Sequence, residues 1–185
     1  MLIVGLGNTG KKYMGTRHNV GFKVVRVLHE EYNFSSVQYL RNSAVAEGVI
    51  EKEEVVIAQP REYMNNSGKV VKKLVDYYNI SSPREIIIIY DDMDLPQGKI
   101  RIKKSGGSGG HKGLASVINK LGTKEISRIR IGIGRPPGGV NVSDYVLSKY
   151  SGEEQKLIES AVQDAVKAVG VICVDGFTVA MNEFN

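Results

Sequence analysis

Three histidines, His18, His29 and His111, and one acidic segment, Asp91-Asp92-Met93-Asp94, make proton transfer the chemistry this chain is best equipped for. An imidazole accepts a proton from water near neutral pH when a carboxylate holds its other ring nitrogen in place. His18 stands where a glycine-rich loop meets a helical pattern, flanked by Arg17 and Asn19, with few apolar neighbours to bury it. That setting suits a general base. His29 falls in an amphipathic helix beside Glu30 and reads as a solvated side chain. Asp91 closes the most continuous apolar run and is the natural partner for His18, with Asp92 and Asp94 as alternatives that spacing does not separate. Cys173 is the only cysteine, so neither an intramolecular disulfide nor a cysteine-rich zinc site can form. Its neighbours Val171, Ile172 and Val174 mark it as a small core residue rather than a nucleophile.

These residues need elements to carry them. Leu2 to Leu6 reads as a buried strand feeding the loop Gly7 to Gly15, and Val20, Val24, Val27 and Leu28 recur at helical spacing after Arg17. Ala44–Ile50 and Glu54–Ala58 read as two strands around the turn Glu51-Lys52-Glu53. Asn65 or Asn66 is placed to cap a helix that carries Val70, Val71, Leu74 and Val75. Glu85 to Tyr90, with four consecutive isoleucines, is too continuous and β-branched for a surface strand. It should lie mid-sheet and deliver Asp91 at its carboxyl end, where open α/β sheets place their ligands. Lys99–Lys103 and Arg128–Ile133 alternate cations with isoleucines, so each strand is expected to project a basic stripe. Ser151-Gly152-Glu153-Glu154 is a capping box ahead of Leu157, Ala161, Val162, Ala165 and Val169, and a last short helix is expected from Phe177 to Glu183. Strands alternating with helices, without a repeat or linker, predict a single α/β domain over 1–185. Its expected architecture is a three-layer α/β/α fold with a mixed, mostly parallel twisted sheet flanked by helices.

With 185 residues and a net charge of +5, the chain is long enough for one core and slightly basic, which fits a polyanionic partner. No apolar stretch approaches the roughly 18 residues of a membrane span, and no leader pattern precedes the first strand. The expectation is a cytoplasmic protein without a membrane partner.

Two glycine patterns invite other readings. Gly5-Leu6-Gly7-Asn8-Thr9-Gly10 matches a dinucleotide fingerprint, but Lys11 to Thr16 still reads as loop where a helix should open. Gly5 to Lys11 also matches the phosphate-loop spacing, yet Lys12 stands where a metal-binding hydroxyl belongs, which leaves a nucleotide-binding protein as a lesser alternative. Ser108 has the spacing of a nucleophile elbow, but only His111 follows it, too close to serve as its base.

Taken together, Gly5-Leu6-Gly7-Asn8-Thr9-Gly10, Tyr13, Thr16-Arg17-His18-Asn19, Tyr63-Met64-Asn65-Asn66-Ser67-Gly68, Asp91-Asp92-Met93-Asp94-Leu95-Pro96 and Gly109-Gly110-His111 resemble the successive signatures of the bacterial peptidyl-tRNA hydrolase family. The likeness runs on through Arg130-Ile131-Gly132-Ile133-Gly134 to the C-terminal helices. It implies a monomeric esterase that releases peptide from peptidyl-tRNA without metal or cofactor, with His18 as base and Asp91 supporting it. Asn8 and Asn65 would position the peptide and the attacked carbonyl, and Tyr13 and Met64 would line the cleft. Lys103 and Arg130 fall where the family grips tRNA phosphates, which agrees with the basic stripes. His111 and Lys112 fall among the substrate- and tRNA-contacting positions. The sequence departs from the family at Thr9, where proline is common, and at Lys112, where asparagine is typical. A catalytically silent RNA-binding relative is the competing expectation, since the fold also resembles plant organelle splicing factors.

Overall fold

A computed structural model describes residues 1–185. Seven strands form one mixed sheet in the order β2-β3-β4-β1-β5-β7-β6. These are β1 (Leu2–Gly5), β2 (Gln38–Leu40), β3 (Ser43–Ile50), β4 (Glu53–Pro60), β5 (Ile86–Asp92), β6 (Ile100–Lys103) and β7 (Ser127–Gly132). The four central strands, β4, β1, β5 and β7, run parallel, and the antiparallel pairs lie toward the two edges. Their carboxyl ends therefore converge on one rim, and Asp91 stands on it.

The period of two along β5 explains its isoleucines. Ile87 and Ile89 join Ile3, Ile129 and Ile131 in a core under α1 (Val20–Glu31) and α5 (Gly152–Phe184). Ile86, Ile88 and Tyr90 face the other way, under α2 (Ser67–Tyr77) and α3 (Lys112–Leu121). Both faces are covered, so no polar residue is tolerated until the strand reaches its end. A short α4 (Val142–Val146) precedes α5.

One close approach sets the position of everything that follows. A Cβ on Gly21 would sit 2.4 Å from the Ile89 carbonyl oxygen, and one on Gly5 would sit 2.2 Å from the Gly21 carbonyl oxygen. Glycine at both positions lets the start of α1 lie directly on β1 and β5, which brings the residues just before α1 to the end of β5.

Several local expectations need correction. Neither Asn65 nor Asn66 caps α2 with its side chain; a 3-10 turn, Met64–Asn66, leads in, and Ser67 Oγ donates to the Met64 carbonyl at 2.8 Å. The expected last short helix is present: non-helical backbone at Gly176, φ +83°, ψ 173°, kinks α5 there, and the helix resumes from Phe177 to Phe184. Gln38–Leu40 forms an edge strand that its mostly exposed side chains gave no apolar signal for. Arg128 is buried, not part of a basic stripe: its guanidinium donates to the carbonyls of Gly107, Lys124 and Ile126 and anchors the glycine loop instead.

Candidate active site

His18 lies in a three-residue 3-10 turn, Arg17–Asn19, that runs directly into α1. Its Nδ1 is 2.8 Å from Asp91 Oδ1 at the end of β5. The same oxygen is 3.0 Å from His111 Nε2, at the N-cap of α3. His111 Nδ1 accepts the Leu114 backbone N–H at 3.1 Å, so the proton of a neutral His111 sits on Nε2 and is donated to Asp91. Asp91 is 3% exposed and therefore needs these donors. Burial alone pushes its carboxyl up, but His111 and His18 outweigh that and hold it well below the usual carboxylate range. An ionised Asp91 accepts N–H from His18 Nδ1, which leaves Nε2 of a neutral His18 with its lone pair free.

Asn8, buried in the loop after β1, is fixed at both ends. Its side-chain oxygen accepts the Met64 backbone N–H at 2.8 Å. Asn19 holds its backbone, accepting from Asn8 N at 2.8 Å and donating to Asn8 O at 3.0 Å. With Oδ1 occupied, the Asn8 amide NH2 is left to donate elsewhere. Met64 is buried, and a Cβ on Gly113 would lie 2.4 Å from Met64 Sδ and 3.1 Å from His111 Cε1, so Met64 and His111 flank the start of α3. Asn65, next to Met64, is exposed. Tyr13 lies in the loop between Asn8 and His18, half-buried, with Lys12 Nζ 4.8 Å from its ring centre.

The cationic residues separate by environment. Lys103 and Lys112 are exposed, Lys112 directly after His111 at the first position of α3. Arg130 is tied to Asp92, Nε to Oδ2 at 2.6 Å, and that carboxylate keeps its guanidinium protonated against the opposing effect of burial. Arg101 pairs with Arg130 across β6 and β7, so exposed Arg101 and Lys103 share the face of Arg130. Asp92, one residue beyond Asp91, serves Arg130, which resolves the choice among the three aspartates: Asp91 alone meets His18. Asp94 pairs with Arg135 at the surface.

His18, Asp91 and His111 also form a cluster with ligand atoms within 4.8 Å of one another, chemically suited to a metal ion. Their donors are already committed, since His111 presents an N–H to Asp91 and an ion would have to displace that proton. No phosphate cradle forms at Gly10-Lys11 either, because only a three-residue 3-10 turn follows. A cavity of about 340 Å³ beside the turn is lined by Thr16, Asn19, Phe22, Gln59 and others, and by none of the His18, Asp91 and His111 group. Cys173 is half-buried in α5, and burial pushes its thiol up to about 11, which removes it as a nucleophile.

A family model for peptidyl-tRNA hydrolase matches residues 2–185. The chain belongs to the peptidyl-tRNA hydrolase family. It is 46% identical over 185 residues to the peptidyl-tRNA hydrolase of Bacillus subtilis and 43% identical over 184 residues to that of Chloroflexus aggregans. Both alignments cover 100% of this chain and 98% of the relative. Among solved structures, peptidyl-tRNA hydrolase from Acinetobacter baumannii superposes with a TM-score of 0.93 at 37% identity, covering 100% of this chain and 93% of that one. The resemblance to the peptidyl-tRNA hydrolases read from short motifs thus extends to the whole chain and to the fold.

Sequence reasoning missed three features of this family member's site. His111 was expected among substrate contacts, but its geometry adds a bond to Asp91. Arg17 and Asn19 carried a signal, as polar residues bracketing His18, that only their buried positions make legible. Glu154 was read as part of a capping box; it fills that role and also pairs with Arg17.

Proposed function

We propose that the chain, acting as one domain over 1–185, hydrolyses the ester that joins a peptide to the terminal ribose of tRNA. The observation that carries this reading is the orientation of His18: Nδ1 bonded to Asp91, with Nε2 left free. Nε2 takes a proton from water as the water oxygen attacks the ester carbonyl carbon. Asp91, held ionised by a second donor from His111, stabilises the imidazolium that forms. The amide NH2 groups of Asn8 and Asn65 donate to the carbonyl oxygen as it gains charge. Collapse breaks the bond from the carbonyl carbon to the ribose oxygen, and His18 returns its proton to that oxygen. The peptide carboxylic acid, which loses its proton to solvent, and tRNA with a free hydroxyl result.

Tyr13 and Met64 border the substrate beside Asn8, while Lys103, Arg130 and Lys112 meet tRNA phosphates. Phosphate contacts carry no base information, so one such site serves many tRNAs. All of these groups come from a single chain, which supports a monomer, and a cytoplasmic place fits a substrate that translation produces. The test is release of labelled peptide from an N-blocked aminoacyl-tRNA by the wild-type protein with a metal chelator present. Multiple turnover is expected. Tight tRNA binding with no release would overturn this reading in favour of a silent RNA-binding protein.

A further inference from the structure

Directly before His18 in the chain stands a buried charge, Arg17. Arg17 is 5% exposed, although an arginine is almost never buried unless paired. Its Nη2 donates to both carboxylate oxygens of Glu154 at 2.8 Å, and its Nε donates to Ser148 Oγ at 3.1 Å. The guanidinium also lies over two rings, 4.4 Å from the centre of Tyr145 and 4.9 Å from that of Tyr150. Backbone contacts follow the same line: Arg17 N donates to Ser148 O at 3.0 Å, Thr16 bridges Lys149, and the Tyr150 hydroxyl reaches Arg17 O at 3.4 Å. Tyr145 is in turn fixed to Ile133 O at 2.6 Å.

Three consecutive residues therefore reach three different parts of the fold. Arg17 grips the segment joining α4 to α5, His18 meets β5 through Asp91, and Asn19 clamps the loop after β1. A turn of three residues has too few internal hydrogen bonds to hold an imidazole by itself. Within the hydrolytic reading above, we propose that Arg17, clamped by Glu154, Ser148, Tyr145 and Tyr150, is a positioning residue that sets where His18 Nε2 stands relative to the attacking water. Asn19 fixes one flank of the turn and Arg17 fixes the other, so loss of Arg17 frees the turn to tilt about Asn19. The substrate contacts of Asn8 and Met64 stay in place, because both residues are held by bonds that do not involve Arg17.

The test uses the full chain carrying Arg17→Met, Arg17→Lys or Glu154→Gln, with two readouts. The first is the split between kcat and KM on an N-blocked aminoacyl-tRNA. A displacement of about 1 Å at a reacting group costs roughly 10²-fold, so Arg17→Met should lower kcat by about that factor with KM within roughly twofold. Arg17→Lys and Glu154→Gln should fall in between. The second readout is the proton NMR signal of His18 Nδ1–H, bonded to Asp91, compared with that of His111 Nε2–H. Arg17→Met should broaden the first and preserve the second, a local change that general destabilisation does not produce. Wild-type kcat in a folded Arg17→Met protein with the His18 signal intact overturns the proposal, as does equal loss of both signals. Should Arg17→Met fail to fold, unchanged kcat and His18 signal in both Arg17→Lys and Glu154→Gln overturn it equally. Because the NMR readout needs no substrate, inactivity of the wild type would refute the hydrolase reading and leave the clamp separately testable.

Discussion

Replacing Asp91 by Asn removes one charge with almost no change of shape, and the structure gives the size of the effect. Asp91 Oδ1 accepts from His18 Nδ1 at 2.8 Å and from His111 Nε2 at 3.0 Å. During turnover His18 becomes an imidazolium, and the charge centres of imidazolium and carboxylate then stand about 4 Å apart. At an effective dielectric near 20, that attraction amounts to roughly 4 kcal/mol. An amide lacks most of it, and each 1.36 kcal/mol is tenfold in rate, so kcat should fall roughly 10³-fold. If the amide turns its NH2 toward His18, Nδ1 must become the acceptor and Nε2 carries the proton; the base is then lost and the fall approaches roughly 10⁴-fold. The assay is kcat and KM for peptide release, with tRNA affinity measured separately. A fall below about tenfold, or an effect confined to KM, would refute the reasoning that Asp91 sets the tautomer and supports the charge of His18.

Three further outcomes follow from the same geometry. Gly21→Ala forces a Cβ to 2.4 Å from the Ile89 carbonyl oxygen, so thermal or denaturant unfolding should show a loss of roughly 1–3 kcal/mol. A variant as stable as wild type would mean that α1 shifts freely on the sheet. The Arg17 guanidinium holds the Glu154 carboxyl down to about 2, from an ordinary 4.5. Its folded pKa is the lower one, so its stabilisation is complete above about pH 4.5 and fades as the pH falls toward 2. Unfolding curves of wild type and Glu154→Gln should therefore differ most near neutrality and converge in acid; a gap that persists at pH 2 would contradict this. Lys103→Ala with Arg130→Ala should weaken tRNA binding and reduce its salt slope by roughly one for each lost phosphate contact, and an unchanged slope would put the RNA on another face.

The central strands were legible because burial on both faces demands continuous β-branched residues, as in Ile86 to Ile89. The helices were legible wherever one apolar stripe faced the sheet. Gln38–Leu40 was not, since an edge strand with exposed side chains presents no apolar pattern. The last helix was legible from its start at Phe177, directly after the non-helical Gly176. Alternation told that Arg128 and Arg130 share a face, yet it could not tell that the glycine loop covers one of them while Asp92 engages the other. For the site, residue types pointed to His18 and an aspartate, but the choice of Asp91 depended on which of the two aspartates closing β5 meets the His18 turn and which meets Arg130. The second imidazole on Asp91 was hidden because His111 is 20 residues away in sequence and reaches it only when α3 starts at the same rim. Arg17 and Glu154, separated by 137 positions, could not be paired from spacing at all.

The most direct test of His18 as the base is a single-turnover measurement of peptide release by wild type and His18→Ala at saturating protein, with tRNA affinity measured in parallel. Loss of a general base predicts a fall of roughly 10²–10⁴-fold in the release rate with the affinity for tRNA within about twofold. Release by His18→Ala at close to the wild-type rate would contradict the account.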